Sequence, residues 1–190
     1  MTASPPLLFL IGYRGTGKTT VGPLLARRLG WTFLDADERT EATAGMSIAD
    51  IFAAEGEPGF RDRESATLAE LCRLSGHVVA TGGGVVLRPA NRELLRNSGF
   101  VAWLSAPAEA IWDRIRADTT TAARRPNLTV RGGLDEVRTL LAEREPLYRA
   151  TADFEIATEG LSPDAVADAI LSACRTPRSS SAARPSSSSG

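Results

Sequence analysis

Residues 12–19 read Gly12-Tyr13-Arg14-Gly15-Thr16-Gly17-Lys18-Thr19, which satisfies G-x-x-x-x-G-K-[ST] directly after an apolar run and directly before a helix-like stretch. Glycines let successive backbone N–H groups curl around phosphate oxygens. The helix that starts near Lys18 turns its positive dipole end toward the same place, and Lys18 adds a mobile charge. The Thr19 hydroxyl can ligate Mg2+ beside them. Lys18 is the only lysine in a chain rich in arginine. A glycine-rich turn that merely opened a helix would have no use for an ammonium at that one position. Gly12, Gly15, Thr16, Gly17, Lys18, Thr19 and the adjoining Thr20 are the expected contacts of nucleotide phosphates.

Other groups could complete a reaction centre. Asp35-Ala36-Asp37 closes the second apolar run, and strand alternation would send both carboxylates to the same side, one to hold magnesium and one to take a proton. Two acids at a strand end can equally be solvated or cap a following helix. Within Phe60-Arg61-Asp62-Arg63-Glu64, Arg61 and Glu64 stand at i, i+3 of a helical stretch. They either lock each other's geometry or form a solvated surface pair. Thr81-Gly82-Gly83-Gly84 follows the third run; three glycines let backbone approach a ligand closely, unless the segment is a plain flexible loop. Residues 118–133 lack a periodic pattern and carry Arg124, Arg125 and Arg131. They read as a mobile lid that brings arginine to a transferring phosphoryl group and excludes water, or as a solvated basic loop. Arg144, on the helix after it, is a potential ligand for an anionic substrate. His77, the only histidine, starts the third run at its far end and reads as a surface residue rather than a base.

The elements that must position these groups alternate. Short apolar runs at Leu7–Ile11, Thr32–Leu34, His77–Ala80, Phe100–Leu104 and Phe154–Ala157 read as strands. Between and after them, Lys18–Leu29, Ile48–Ala54, Gly59–Arg73, Pro89–Arg96, Pro107–Arg116, Leu134–Tyr148 and Ser162–Ser172 read as helices, with Pro89 and Pro107 marking helix starts. Alternating strand and helix implies a parallel sheet covered on both faces, whose ligands bind at the carboxyl ends of the strands. One domain over residues 1–175 fits the 190-residue length and the 43% hydrophobic content. Residues 176–190 are almost all Ser, Ala, Pro and Arg and are expected to form a disordered tail. A net charge of -1 offers no overall basic field for nucleic acid. Cys72 and Cys174 lack redox or metal-ligand spacing, and no segment has the pattern of a leader or of a membrane span, so a cytoplasmic protein is expected.

Taken together, from Leu7 to Ser172, these motifs resemble the shikimate kinase family. The resemblance implies a three-layer P-loop α/β fold with a five-stranded parallel sheet of order 2-3-1-4-5, a helical substrate-binding region and a lid. It implies transfer of the ATP γ-phosphoryl to the 3-hydroxyl of shikimate, with Mg2+ as cofactor, in a protein that works as a monomer. By it, Thr19 and Asp35 match the magnesium-side residues. Asp37 matches the carboxylate that contacts substrate hydroxyls and is the family's candidate base. Arg61 and Arg144 match the pair that grips the substrate carboxylate, with Glu64 supporting Arg61, and Gly82, Gly83 and Gly84 match the run whose backbone contacts shikimate. Arg125, followed by Pro126, matches the lid arginine that reaches the phosphates. The doubled Arg124-Arg125 leaves that carry-over open by one residue. The family's adenine-stacking arginine has no clear match, and Arg116 is the residue proposed for it.

Related activities fit less well. Gluconate kinases share the phosphate loop and an early acidic pair, but the His-rich stretch expected after that pair is missing from Asp37-Glu38-Arg39-Thr40. Nucleoside monophosphate kinases read a base and a phosphate, whereas a glycine run with Arg61 and Arg144 suits a small carboxylate. A non-catalytic nucleotide sensor would dispense with Asp37 and the arginines of residues 118–133, and all are present.

Overall fold

Leu7–Ile11 is apolar at every position and buried at every position, the mark of a strand covered on both faces. In the computed structural model, which describes residues 7–117 and 133–176, this strand, β1, lies at the centre of a five-stranded sheet. The sheet also contains β2 (Thr32–Asp35), β3 (His77–Ala80), β4 (Phe100–Ser105) and β5 (Phe154–Ala157), in the order β2-β3-β1-β4-β5. All four pairings are parallel, with Leu7 opposite His77 and Leu8 opposite Phe100. The expected order is the observed one.

Helices cover both faces: α1 (Lys18–Leu29), α2 (Ala36–Ala44), α3 (Ile48–Leu71), α4 (Pro89–Ser98), α5 (Ala108–Ala117), α6 (Gly133–Thr151) and α7 (Pro163–Arg175). The period of two along β1 divides the core. Leu8 and Leu10 pack with Leu25 of α1 and Ile170 of α7, while Leu7, Phe9 and Ile11 pack with Leu68 of α3, Leu95 of α4 and Tyr148 of α6. Among the described residues no helix is long and apolar enough to cross a membrane.

Two departures from the sequence expectation bear on the site. The chain does not stay extended through Asp37: α2 begins at Ala36, and the Asp35 side chain caps it by accepting from the amides of Asp37 and Glu38 at 2.8 and 3.3 Å. This helix buries only Ala36 and Thr40, the Thr40 hydroxyl bonding the Ala36 carbonyl and the Thr67 hydroxyl, so it carries no apolar stripe to announce it. The helices expected at Ile48–Ala54 and Gly59–Arg73 join as α3, bent at Gly56, whose φ of 69° lies in the region that disfavours side chains. Residues 118–132 of the expected lid, with Arg124, Arg125 and Arg131, and residues 177–190 of the expected tail lie outside the described residues.

Candidate active site

The turn from β1 into α1 holds the phosphate loop at the carboxyl edge of the sheet. The Thr16 hydroxyl donates to the Tyr13 carbonyl at 2.8 Å, and the Lys18 ammonium donates to the carbonyls of Gly12 and Tyr13 at 2.8 Å each. Lys18 is thereby drawn across the loop. Gly17, at the N-cap of α1, supplies no side-chain acceptor, which leaves that helix end to an external anion.

A cavity of about 450 Å³ opens over this loop. Gly15, Thr16, Gly17, Lys18, Thr19 and Thr20 form its floor, with Asp35, Asp37, Glu38, Thr81 and Gly83 on one side and Arg114, Thr158, Leu161, Pro163 and Val166 on the other. Asp35 and Asp37 do face one space, though by a different route from strand alternation: Asp35 is the cap and Asp37 lies in the first turn of α2. Burial pushes the Asp35 carboxyl up from its ordinary pKa, and the charge of Asp37 pushes in the same direction. A cation placed between them would relieve both. Among the described residues no cluster of three His, Cys, Asp or Glu side chains forms a protein-only metal cage.

Gly12, Gly82, Gly84, Arg61, Glu64 and Arg144 lie outside the lining of that cavity; Arg61, Glu64 and Gly84 meet in a second, buried cluster, and Arg144 is buried against Tyr13 and Tyr148. Arg61, 8% exposed, donates to Glu64 at 2.9 Å and to Glu57 at 3.0 Å, and its guanidinium stands 5.1 Å from the centre of the Phe60 ring. Burial works against its charge, yet Glu64 and Glu57 outweigh burial and raise its pKa. The i, i+3 pair is therefore a buried lock rather than a solvated one. Tyr148 of α6 donates its hydroxyl to the Gly83 carbonyl, and burial raises that phenol's pKa, so it stays a donor. Arg144, one turn earlier, places its guanidinium over the Tyr13 ring. Gly83 thus belongs to both places, lining the cavity and receiving the bond from α6.

Gly84 shows how tightly this cluster is set. A Cβ there would fall 2.2 Å from Arg61 Nη1, although the backbone φ of -97° suits any residue. Gly84→Ala should displace the guanidinium and lower stability by about 1–3 kcal/mol, or about 3–10 °C in melting temperature. An unchanged thermal melt would show that Arg61 has another place to rest.

Thr81, Arg114 and Thr158 are among the lining residues to which the sequence assigned no role. Thr81 donates its hydroxyl to the Leu10 carbonyl at 3.0 Å, tying the end of β3 to β1. Arg114 donates to the Gly15 carbonyl at 3.3 Å and to the hydroxyl and carbonyl of Thr158 at 3.0 and 3.3 Å. Arg116, the residue proposed from sequence for the nucleotide side, is exposed and outside the lining. Helical phase could have separated the two: Ile111 and Ile115 form the buried stripe of α5, and Arg114 is one turn from Ile111, whereas Arg116 is turned toward solvent. His77 is half-buried, its Nδ1 2.6 Å from the Ser75 carbonyl, and lies outside the cavity lining.

Known proteins resemble this chain in sequence and fold. A family model described as "Shikimate kinase" matches residues 14–175. A shikimate kinase of Rhodopirellula baltica is 48% identical over 169 residues, covering 89% of this chain and 90% of the relative. One from Symbiobacterium thermophilum is 49% identical over 80% of this chain and 86% of its own length. The solved structure of a shikimate kinase from Acinetobacter baumannii in complex with shikimate superposes with a TM-score of 0.82 at 41% identity, over 88% of this chain and 92% of that one.

Proposed function

The chain belongs to the shikimate kinase family of ATP-dependent kinases, and from that premise we propose that it transfers the γ-phosphoryl group of ATP to the 3-hydroxyl of shikimate. The products are ADP and shikimate 3-phosphate. The observation that carries this reading is the contact at Gly83 between a phosphate-binding cavity and a buried cluster that presents Arg61 and Arg144. One half suits a triphosphate and the other a small carboxylate.

Each residue has a definite task in that reaction. The loop amides and the Lys18 ammonium hold the phosphates and offset the charge that gathers on them as the bond to ADP breaks. Asp37 orients the attacking hydroxyl and accepts its proton as the new phosphorus–oxygen bond forms. Arg61, braced by Glu64, and Arg144 bind the carboxylate with planar guanidinium forks, while the amides of Gly82, Gly83 and Gly84 bound the ring. The donor set also fits Mg2+: the Thr19 hydroxyl and the Asp35 carboxylate line the same cavity, and the raised pKa of Asp35 is the state a nearby cation would reverse. Held by Thr19 and Asp35, such an ion would supply positive charge that neutralises the charge developing on the phosphates. Arg114, on the cavity wall, suits the nucleoside side better than Arg116 does. Arg125 is retained as the arginine that reaches the phosphates from residues 118–133. Residues 1–175 are read as a single domain that acts as a cytoplasmic monomer.

The test is ADP release measured with shikimate, gluconate and nucleoside monophosphates as acceptors. Turnover with shikimate supports the reading, and turnover with gluconate alone replaces it. Within it, Arg144→Lys keeps the charge but loses the fork. The KM for shikimate should rise by about tenfold, on the order of 1–3 kcal/mol, with the KM for ATP little changed. Equal shifts in both constants would remove Arg144 from the acceptor site.

A further inference from the structure

The phosphate loop also touches the helix that carries the acceptor-binding arginine, and it does so at two points. The Arg144 guanidinium lies over the Tyr13 ring, 5.7 Å from its centre, and Arg14 Nη2 stands 3.6 Å from Glu136 Oε1. Glu136 and Arg144 sit about two turns apart on α6 and so fall on one face. Tyr13, Glu136 and Arg144 are 2%, 2% and 5% exposed. The attraction between a guanidinium and an aromatic face strengthens when water is excluded, which is the situation here.

The ring has packing partners besides Arg144. Tyr13 packs in an apolar cluster with Ile111 and Ile115 of α5 and Val137 of α6, so packing fixes the face that the guanidinium meets. The loop pattern permits any residue type at this position. A leucine would fill the apolar cluster but present no negative face to a cation.

We propose that Tyr13 is a positioning residue: its ring sets the pose in which the Arg144 guanidinium meets an acidic acceptor, so that the phosphate loop itself shapes the acceptor site. This rests on the acceptor role given to Arg144 above. The Arg14–Glu136 contact supports the arrangement by holding α6 against the loop, which keeps ring and guanidinium in register.

The experiment is a mutant cycle on the full chain, with KM values for shikimate and ATP, kcat and thermal melts. Tyr13→Leu should raise the KM for shikimate by about tenfold and leave the KM for ATP within about twofold. Tyr13→Phe, which keeps the ring, should restore the shikimate KM to within about twofold. In an Arg144→Ala background, Tyr13→Leu should change kcat/KM for shikimate by less than about twofold, because the group it acts through is gone. If leucine unfolds the protein, Tyr13→Met takes its place in the cycle as a flexible filler of the apolar cluster. Additive effects, an equal rise in both KM values, or failure of phenylalanine to restore binding would each overturn the proposal while leaving the substrate reading intact. A wild-type protein indifferent to shikimate would overturn the substrate reading instead, and the cycle is then run with the acid it accepts.

Discussion

Lys18→Ala should lower kcat by about a thousandfold or more while the protein remains folded. The side chain is the single ammonium of the chain, and it bridges two carbonyls of the loop rather than filling the apolar core. Its removal leaves the Gly12 and Tyr13 carbonyls without that donor, but Lys18 itself lines the cavity, so the space it vacates opens to water that can take its place. Alanine is a strong helix former, so α1 keeps its first turn. The loss therefore concerns the reaction more than the fold. With no ammonium to follow the phosphoryl group, the charge released toward ADP loses one of the groups that stabilise it. Lys18→Arg should rescue little, because the carbonyls of Gly12 and Tyr13 hold a compact ammonium and a planar fork is wider. Single-turnover ADP release beside a thermal melt separates the two effects. Near-wild-type release by a folded Lys18→Ala protein would end the assignment of this loop to ATP.

The parts of this site that could be read from sequence are those whose cause is local. The run Leu7 to Ile11 is apolar at every position and is followed by glycine, so strand and loop declare themselves together. Arg61 and Glu64 declare a shared helix face by spacing alone, but the Arg61 guanidinium packs against Gly84, which follows β3 and is distant in sequence. Spacing cannot report that. Helix α2 was hidden because it holds its place through Ala36 and a bonded Thr40 instead of an apolar stripe, so the pattern sought in amphipathic helices is absent. Arg114 was missed for a related reason. Its contacts, to Gly15 and Thr158, join three segments far apart in sequence, and only the sheet order brings them together.

The misplaced geometry of Asp37 leads to a sharper expectation than strand alternation could provide. In the first turn of α2, Asp37 is favoured by the helix dipole, and Asp35, its neighbour across the cap, is held above its ordinary pKa by burial and by the charge of Asp37. Asp37→Asn removes a dipole contact worth about 0.3–1 kcal/mol and, with it, a repulsion on Asp35 of opposite sign. Stability should therefore change little. Catalysis should change greatly, because asparagine keeps the size of the side chain but cannot take the proton of an attacking hydroxyl, and general-base assistance contributes about a hundredfold to ten-thousandfold. The expected result is a kcat lower by about a hundredfold or more, a KM for ATP within about threefold, and a melting temperature within about 3 °C of wild type. An Asp37→Asn protein that turns over at an undiminished rate would show that another group accepts the proton, and Asp35, the other acid of the Asp35-Ala36-Asp37 segment, would be the next to replace.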